Sequence, residues 1–139
     1  MLVSICILYI LLAVLSVVFL EHLSVVFVVG LLYLLPLIIN FFATNNMLKN
    51  PTQQTLRIVG ILPALSLLFY SIFGFIAEYS GKWHQFVLQN TIQSDHFTVE
   101  VNDRLLDPAQ LIFVTVLYVS LFGLNYFYQL NKLKTLKEV

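Results

Sequence analysis

Apolar residues fall into four long runs, over 2–20, 23–42, 56–76 and 108–130, with polar stretches between them. Each run is close to the ~20 residues a helix needs to cross a hydrocarbon core ~30 Å thick. The first is interrupted only by Ser4, Tyr9 and Ser16, whose hydroxyls can bond back to the helix backbone. Glu21, His22 and Ser24 then break the pattern. One helix over 2–43 would be roughly 60 Å long, twice the membrane core, so the chain must turn within 19–24 as a tight helical hairpin. The second run carries Gly30 and Pro36 in mid-span. Pro36 offers no N–H to the carbonyl of Leu32, and its ring crowds that turn. Gly30 lowers the cost of bending nearby. A departure from regular α geometry is therefore expected between Val28 and Pro36. In lipid it persists only where a neighbouring helix, a hydroxyl or water satisfies the freed carbonyl, so the distorted turn should face protein.

The connection over 43–55 holds the turn formers Asn45, Asn46, Asn50 and Pro51, and Thr52 or Thr55 can cap the next helix. The third run contains Gly60, Pro63 and Gly74, and Pro63 should bend it near its start. Residues 78–107 form the long extramembrane stretch. Tyr79, Lys82 and Trp83 belong at the headgroup level, where amphipathic rings settle. Apolar and polar positions alternate over 97–105 around Val99 and Val101, which predicts a short β-hairpin turning at Asn102 and Asp103. A loop of this length with a strand edge is expected to dock a partner. Asp107 followed by Pro108 starts the last helix. The prediction is a single all-α polytopic domain over 1–139, with four transmembrane helices and an outer loop.

Composition agrees with the pattern. The chain is 60% apolar and 10% charged, with a mean hydropathy of +0.92, whereas soluble domains are ~25% charged. Seven cations balance seven acids, so no nucleic-acid partner is expected. The single cysteine, Cys6, lies in an apolar run and excludes an internal disulfide. The first run lacks a basic flank and exceeds a signal-peptide core, so it is expected to be retained. Twelve Phe and seven Tyr against five Gly suit an A+T-rich genome such as an organelle's.

Charge predicts the topology. Four spans place Lys49, Arg57, Lys132, Lys134 and Lys137 on one side. Lys82 and Arg104 fall on the other, with Glu21, Glu78, Asp95, Glu100, Asp103 and Asp107. The excess of Lys and Arg near span ends marks the cytoplasmic or matrix face, so both termini are expected there.

No span has a charged residue in its interior, although ion pathways and proton relays are built from such groups. Glu21 with His22 is the nearest candidate for handling protons, against the plainer reading of a polar hairpin apex. His22, His84 and His96 sit at loop positions without haem-ligand placement or metal-ligand spacing, so no cofactor is expected to be bound by this chain. Tyr9, Tyr33, Tyr70, Tyr118, Asn40 and Asn125 lie within spans. They read as hydrogen-bonding groups between helices, with quinone or substrate binding as the sharper alternative. No phosphate-binding glycine loop, serine elbow or CxxC occurs, so no catalytic centre is expected within the chain.

The stretch Phe19, Leu20, Glu21 through Val25, Val26, Phe27, Val28, Val29, Gly30 resembles subunit 6 of NADH–ubiquinone oxidoreductase, respiratory complex I. That family has a helix reading Phe-Leu, several apolar residues, then Val-Tyr-Val-Gly and an apolar half-helix. The resemblance implies that Gly30 occupies a π-bulge that shifts during the catalytic cycle. It implies a non-catalytic membrane subunit of the proton-pumping arm, partnered by other membrane subunits and lipids in the mitochondrial inner membrane. A bacterial inner membrane is the other location. The last helix, over 106–132 with Gly123, loosely resembles that family's final span. Phe27 departs from the pattern, standing three residues before the glycine instead of two. Pro36 lies outside it, and members with five spans have one more than this chain. The residues alone leave a second class open, a small homo-oligomeric transporter or channel built on Glu21.

Overall fold

A computed structural model of the chain describes residues 2–49, 52–93, 98–99 and 102–137. Among the described residues the fold is helical apart from one two-residue strand pair. Helix α1 (Leu2–Val18) ends in a 3-10 turn at Leu20–His22, and Ser24 starts the next helix by accepting the Phe27 N–H at 3.3 Å. That helix runs as α2 (Val25–Val29), a π turn (Gly30–Leu34) and α3 (Leu35–Met47). Then come α4 (Gln53–Val59), α5 (Leu62–Tyr79), α6 (Lys82–Asn90), the strands β1 (Ile92–Gln93) and β2 (Thr98–Val99), and α7 (Pro108–Lys137).

The stretches Val25–Met47, Thr55–Tyr79 and Pro108–Asn131 are long and apolar enough to cross a membrane. α1 is apolar too, but has only 17 residues. α5 is the central element: α1 and α7 both pack on it, and α7 also lies along α3. In its most apolar window 44% of residues are buried within the chain, against 11% for α7. Phe69, Tyr70 and Phe73 of α5 form the middle of the core with Leu32, Val114 and Tyr118. The outward faces of α1 and α7, with Ile7, Leu11 and Leu15 on one and Ile112, Val116 and Phe127 on the other, are exposed and apolar. In water such faces would aggregate; in lipid or against other helices they are at home.

Helix ends follow local chemistry. Thr52 and Thr55 together make a reciprocal capping box on α4. The chain breaks at Gly60 and Ile61, and Pro63 falls in the first turn of α5, where a missing N–H costs nothing. Gly81, with φ of 73°, makes the left-handed turn between α5 and α6. Asp107 accepts the Ala109 N–H at 2.9 Å to start α7.

Several boundaries differ from expectation. α3 runs on to Met47 and α7 to Lys137, so polar residues beyond the apolar runs continue helices instead of forming loops. The outer stretch over 78–107 contains α6, whose Trp83, Phe86 and Val87 are buried. The hairpin expected over 97–105 is not the arrangement seen: β2 pairs backwards, Ile92 with Val99 and Gln93 with Thr98. The chain does bend at Asn102 and Asp103, as expected, and Asn102 Oδ1 accepts the Arg104 N–H at 3.2 Å. Phe97, Glu100 and Val101 lie outside the described residues. This turn is fastened to the bundle. Glu78 Oε1 accepts the Leu106 N–H at 3.0 Å, Trp83 donates to the Asn102 carbonyl at 3.0 Å, and Tyr70 to that of Leu105 at 3.1 Å. Gly74 permits the approach, since a Cβ there would stand 2.8 Å from Leu106 Cδ2.

Candidate functional site: the π turn and its clamp

The expected departure from α geometry is located at Gly30–Leu34, a full π turn. The Leu35 N–H reaches back five residues to the Gly30 carbonyl, bypassing Leu31, its α-helical partner. Leu32 would normally be served by residue 36, but Pro36 has no N–H. Its carbonyl instead accepts a hydrogen bond from the hydroxyl of Tyr118 on α7, a fully buried side chain. A neighbouring helix thus supplies the donor that the proline withholds, which is the condition for such a defect within a bilayer.

Polar groups continue beside the turn, toward the start of α7. Tyr33 accepts from Gln110 Nε2, and its ring lies 6.1 Å from those of both Tyr70 and Phe113. A cavity of about 230 Å³ opens beside the turn, lined by Val28, Val29, Leu32, Tyr33, Trp83 and Gln110 among others. A Cβ added to Gly30 would meet nothing within 4 Å. Gly30 therefore does not admit a neighbouring helix, and its contribution is backbone freedom alone.

A second cluster lies toward the other end of the bundle. Tyr9 and Ser66 hydroxyls are 3.2 Å apart, and Asn40 Nδ2 donates to Ser66 Oγ at 3.0 Å. Asn125 Nδ2 and Thr44 Oγ1 are enclosed without a partner. Gln129 donates to Asn45 Oδ1 at 2.8 Å, tying α7 to α3.

Glu21 and His22 are exposed, away from the π turn. Glu21 Oε1 stands 3.8 Å from Lys82 Nζ, the ion pair among the described residues, and Lys82 also donates to the Val18 carbonyl at 2.9 Å. Glu21 has 42% of its side chain exposed, at the end of the bundle where Lys82 also caps α1. His84 is exposed too, Cys6 is half-buried, and His96 lies outside the described residues.

Sequence reasoning missed Ser66, Gln110 and Lys82 as partners. Gln110 had a legible signal, an amide one turn into an apolar helix. The other two depend on which helices meet. The π turn and its clamp offer neutral hydroxyls, amides and one rerouted carbonyl, a set suited to holding or shifting a backbone register. No protein-family model, curated protein or solved structure matches the chain.

Proposed function

We propose that this chain is a non-catalytic membrane subunit of a large energy-converting complex, of the kind formed by subunit 6 of NADH–ubiquinone oxidoreductase. It crosses the mitochondrial inner membrane four times with both termini on the matrix side. The observation that carries the reading is the π turn at Gly30–Leu34, in the helix whose residues resemble that family's bulged helix. π turns are rare and concentrate at functional positions. This one is not required by close packing at Gly30, and the carbonyl it frees is satisfied by a neighbouring helix. The broad apolar faces of α1 and α7 supply the surface that partner helices and lipids cover.

The transporter reading draws no such support. It needs a charge within the membrane, and Glu21 is instead paired at an exposed end.

The test is extraction of the native membrane in mild detergent, followed by native electrophoresis with detection of this chain. The expected band far exceeds the 15.9 kDa chain and carries NADH:ubiquinone reductase activity. A small homo-oligomer without partners overturns the proposal. Within the assembled complex, Gly30→Leu should impair turnover more than assembly, because the site has room for a side chain. Normal turnover in that variant rejects a moving turn.

A further inference from the structure

We propose that the cavity beside the π turn is a binding site for a small neutral phenol, a single aromatic ring carrying one hydroxyl. The cavity has a volume of about 230 Å³ and is walled by α2, the π turn, α6, the turn before α7 and the first residues of α7. Size, charge and a polar pair at one end together define the occupant.

Size limits the occupant to one ring. An apolar cavity of ~150 Å³ is enough to hold benzene, whereas drug-sized ligands need ~300 Å³ or more. Two of the lining residues, Val29 and Asn102, are exposed, so the cavity can be entered without unfolding. Its walls are themselves aromatic. Trp83 and Phe86 of α6 are buried and stacked, with ring centroids 5.3 Å apart, and Tyr33 of the π turn joins them in the lining. Such walls favour an aromatic guest through offset and edge contacts. Among the described residues that line the cavity none is charged. An ion would lose its hydration there without compensation, so the guest is neutral.

The polar pair selects a hydroxyl. Tyr33 and Gln110 both line the cavity, and the Tyr33 hydroxyl accepts a hydrogen bond from Gln110 Nε2. A hydroxyl that accepts still has its own proton to give, and an amide that donates still has its carbonyl oxygen. Among the described residues no hydrogen bond uses either one. The neighbouring Tyr70 spends its proton on the Leu105 carbonyl. Turning the amide over exchanges the roles and again leaves one donor beside one acceptor. A phenol hydroxyl accepts and donates at once, and so completes both. Water alone would meet the pair but would leave the walls at Val25 and Val28 without a partner. An acyl chain would cover those walls and leave the pair unmet. The inference is independent of the complex-subunit reading.

The experiment uses Trp83, the chain's single tryptophan, whose place in the cavity wall makes its fluorescence a reporter of the guest. The full chain in detergent is titrated with 4-iodophenol or with iodobenzene. Iodine quenches indole emission on contact, and the two probes differ by the hydroxyl alone. Quenching by 4-iodophenol should saturate at one probe per chain. Its midpoint, counted as concentration within the detergent phase, should lie about tenfold below that of iodobenzene, the ratio expected for one hydrogen-bonded hydroxyl. Tyr33→Phe with Gln110→Leu should remove that preference. Val28→Phe, which fills the cavity, should abolish saturable quenching by either probe. Circular dichroism checks that this variant keeps its helical content, and Val25→Phe replaces it if it does not. Quenching that rises without saturating, equal midpoints for the two probes, or indifference to the polar pair or to cavity filling overturns the proposal.

Discussion

Residue-scale chemistry centres on the carbonyl of Leu32. Pro36 makes it an orphan within its own helix, and the Tyr118 hydroxyl, 86 residues away in sequence, satisfies it. Removing one such donor exposes the cost of a buried unsatisfied acceptor, about 1–3 kcal/mol. Hydrogen bonds between membrane helices average only ~0.6 kcal/mol because the separated helices find other partners. Pro36 denies the Leu32 carbonyl its α-helical partner, so Tyr118→Phe should destabilise the fold by about 1–2 kcal/mol in detergent unfolding titrations. Tyr9→Phe is the contrast: Ser66 keeps Asn40 as a partner, and the loss should stay near ~0.6 kcal/mol. Pro36→Ala restores an N–H to the α position. In that background Tyr118→Phe should cost less than half as much, and the coupling would appear in a double-mutant cycle. Strict additivity would show that Tyr118 does not act on the carbonyl that Pro36 leaves free. The orphan carbonyl was legible from Pro36 alone. Its donor was not, because nothing local in a sequence says which face of α7 meets α3.

Among the elements, the described residues of the 78–107 segment hold more regular structure than its composition suggested. Trp83, Phe86 and Val87 fall at i, i+3 and i+4, a helical signal that was available in the sequence but is short for a firm assignment. A ladder of two residues per strand has no readable period, and the alternation over 97–105 pointed to a different pairing. Packing decided the matter. The turn at Leu105 and Leu106 is held by Tyr70 and Glu78 and seated against Gly74. Gly74→Val should therefore push the turn off α5, at a cost of about 1–3 kcal/mol typical of overpacking. Faster proteolysis between α6 and α7 would report it. Unchanged cleavage would mean that the turn docks without the close approach. At the same end, Glu21→Gln removes an ion pair whose partners are 31% and 42% exposed, and such pairs contribute at most about 1 kcal/mol. A small stability loss with unaltered ion flux in reconstituted vesicles is expected. Loss of a flux present in the unaltered chain would revive the transporter reading.

Across the whole molecule, hydropathy revealed the apolar runs but not the helix ends, since α3 and α7 outlast their apolar runs and continue into polar residues. Nor does composition decide whether α1, at 17 residues, crosses with the others. The packing supplies an argument that it does. Lys82 reaches the Val18 carbonyl, which places the end of α1 beside α6 and the Glu21 apex. Tyr9, about 14 Å back along the helix, meets Ser66 near the start of α5 and, through it, Asn40 in α3. Leu2 lies roughly 24 Å from Val18 along the axis, most of the way to the end where Asn45 and Gln129 join. The N-terminus should therefore share a face with Lys49, and Arg104 should lie opposite. In sealed vesicles of known orientation, with Cys6→Ala as background, an impermeant maleimide should label Lys49→Cys and Arg104→Cys from opposite sides. An epitope placed before Leu2 should be accessible from the Lys49 side. If the epitope instead reports from the Arg104 side, α1 lies along the bundle without crossing, and the number of spans falls to three.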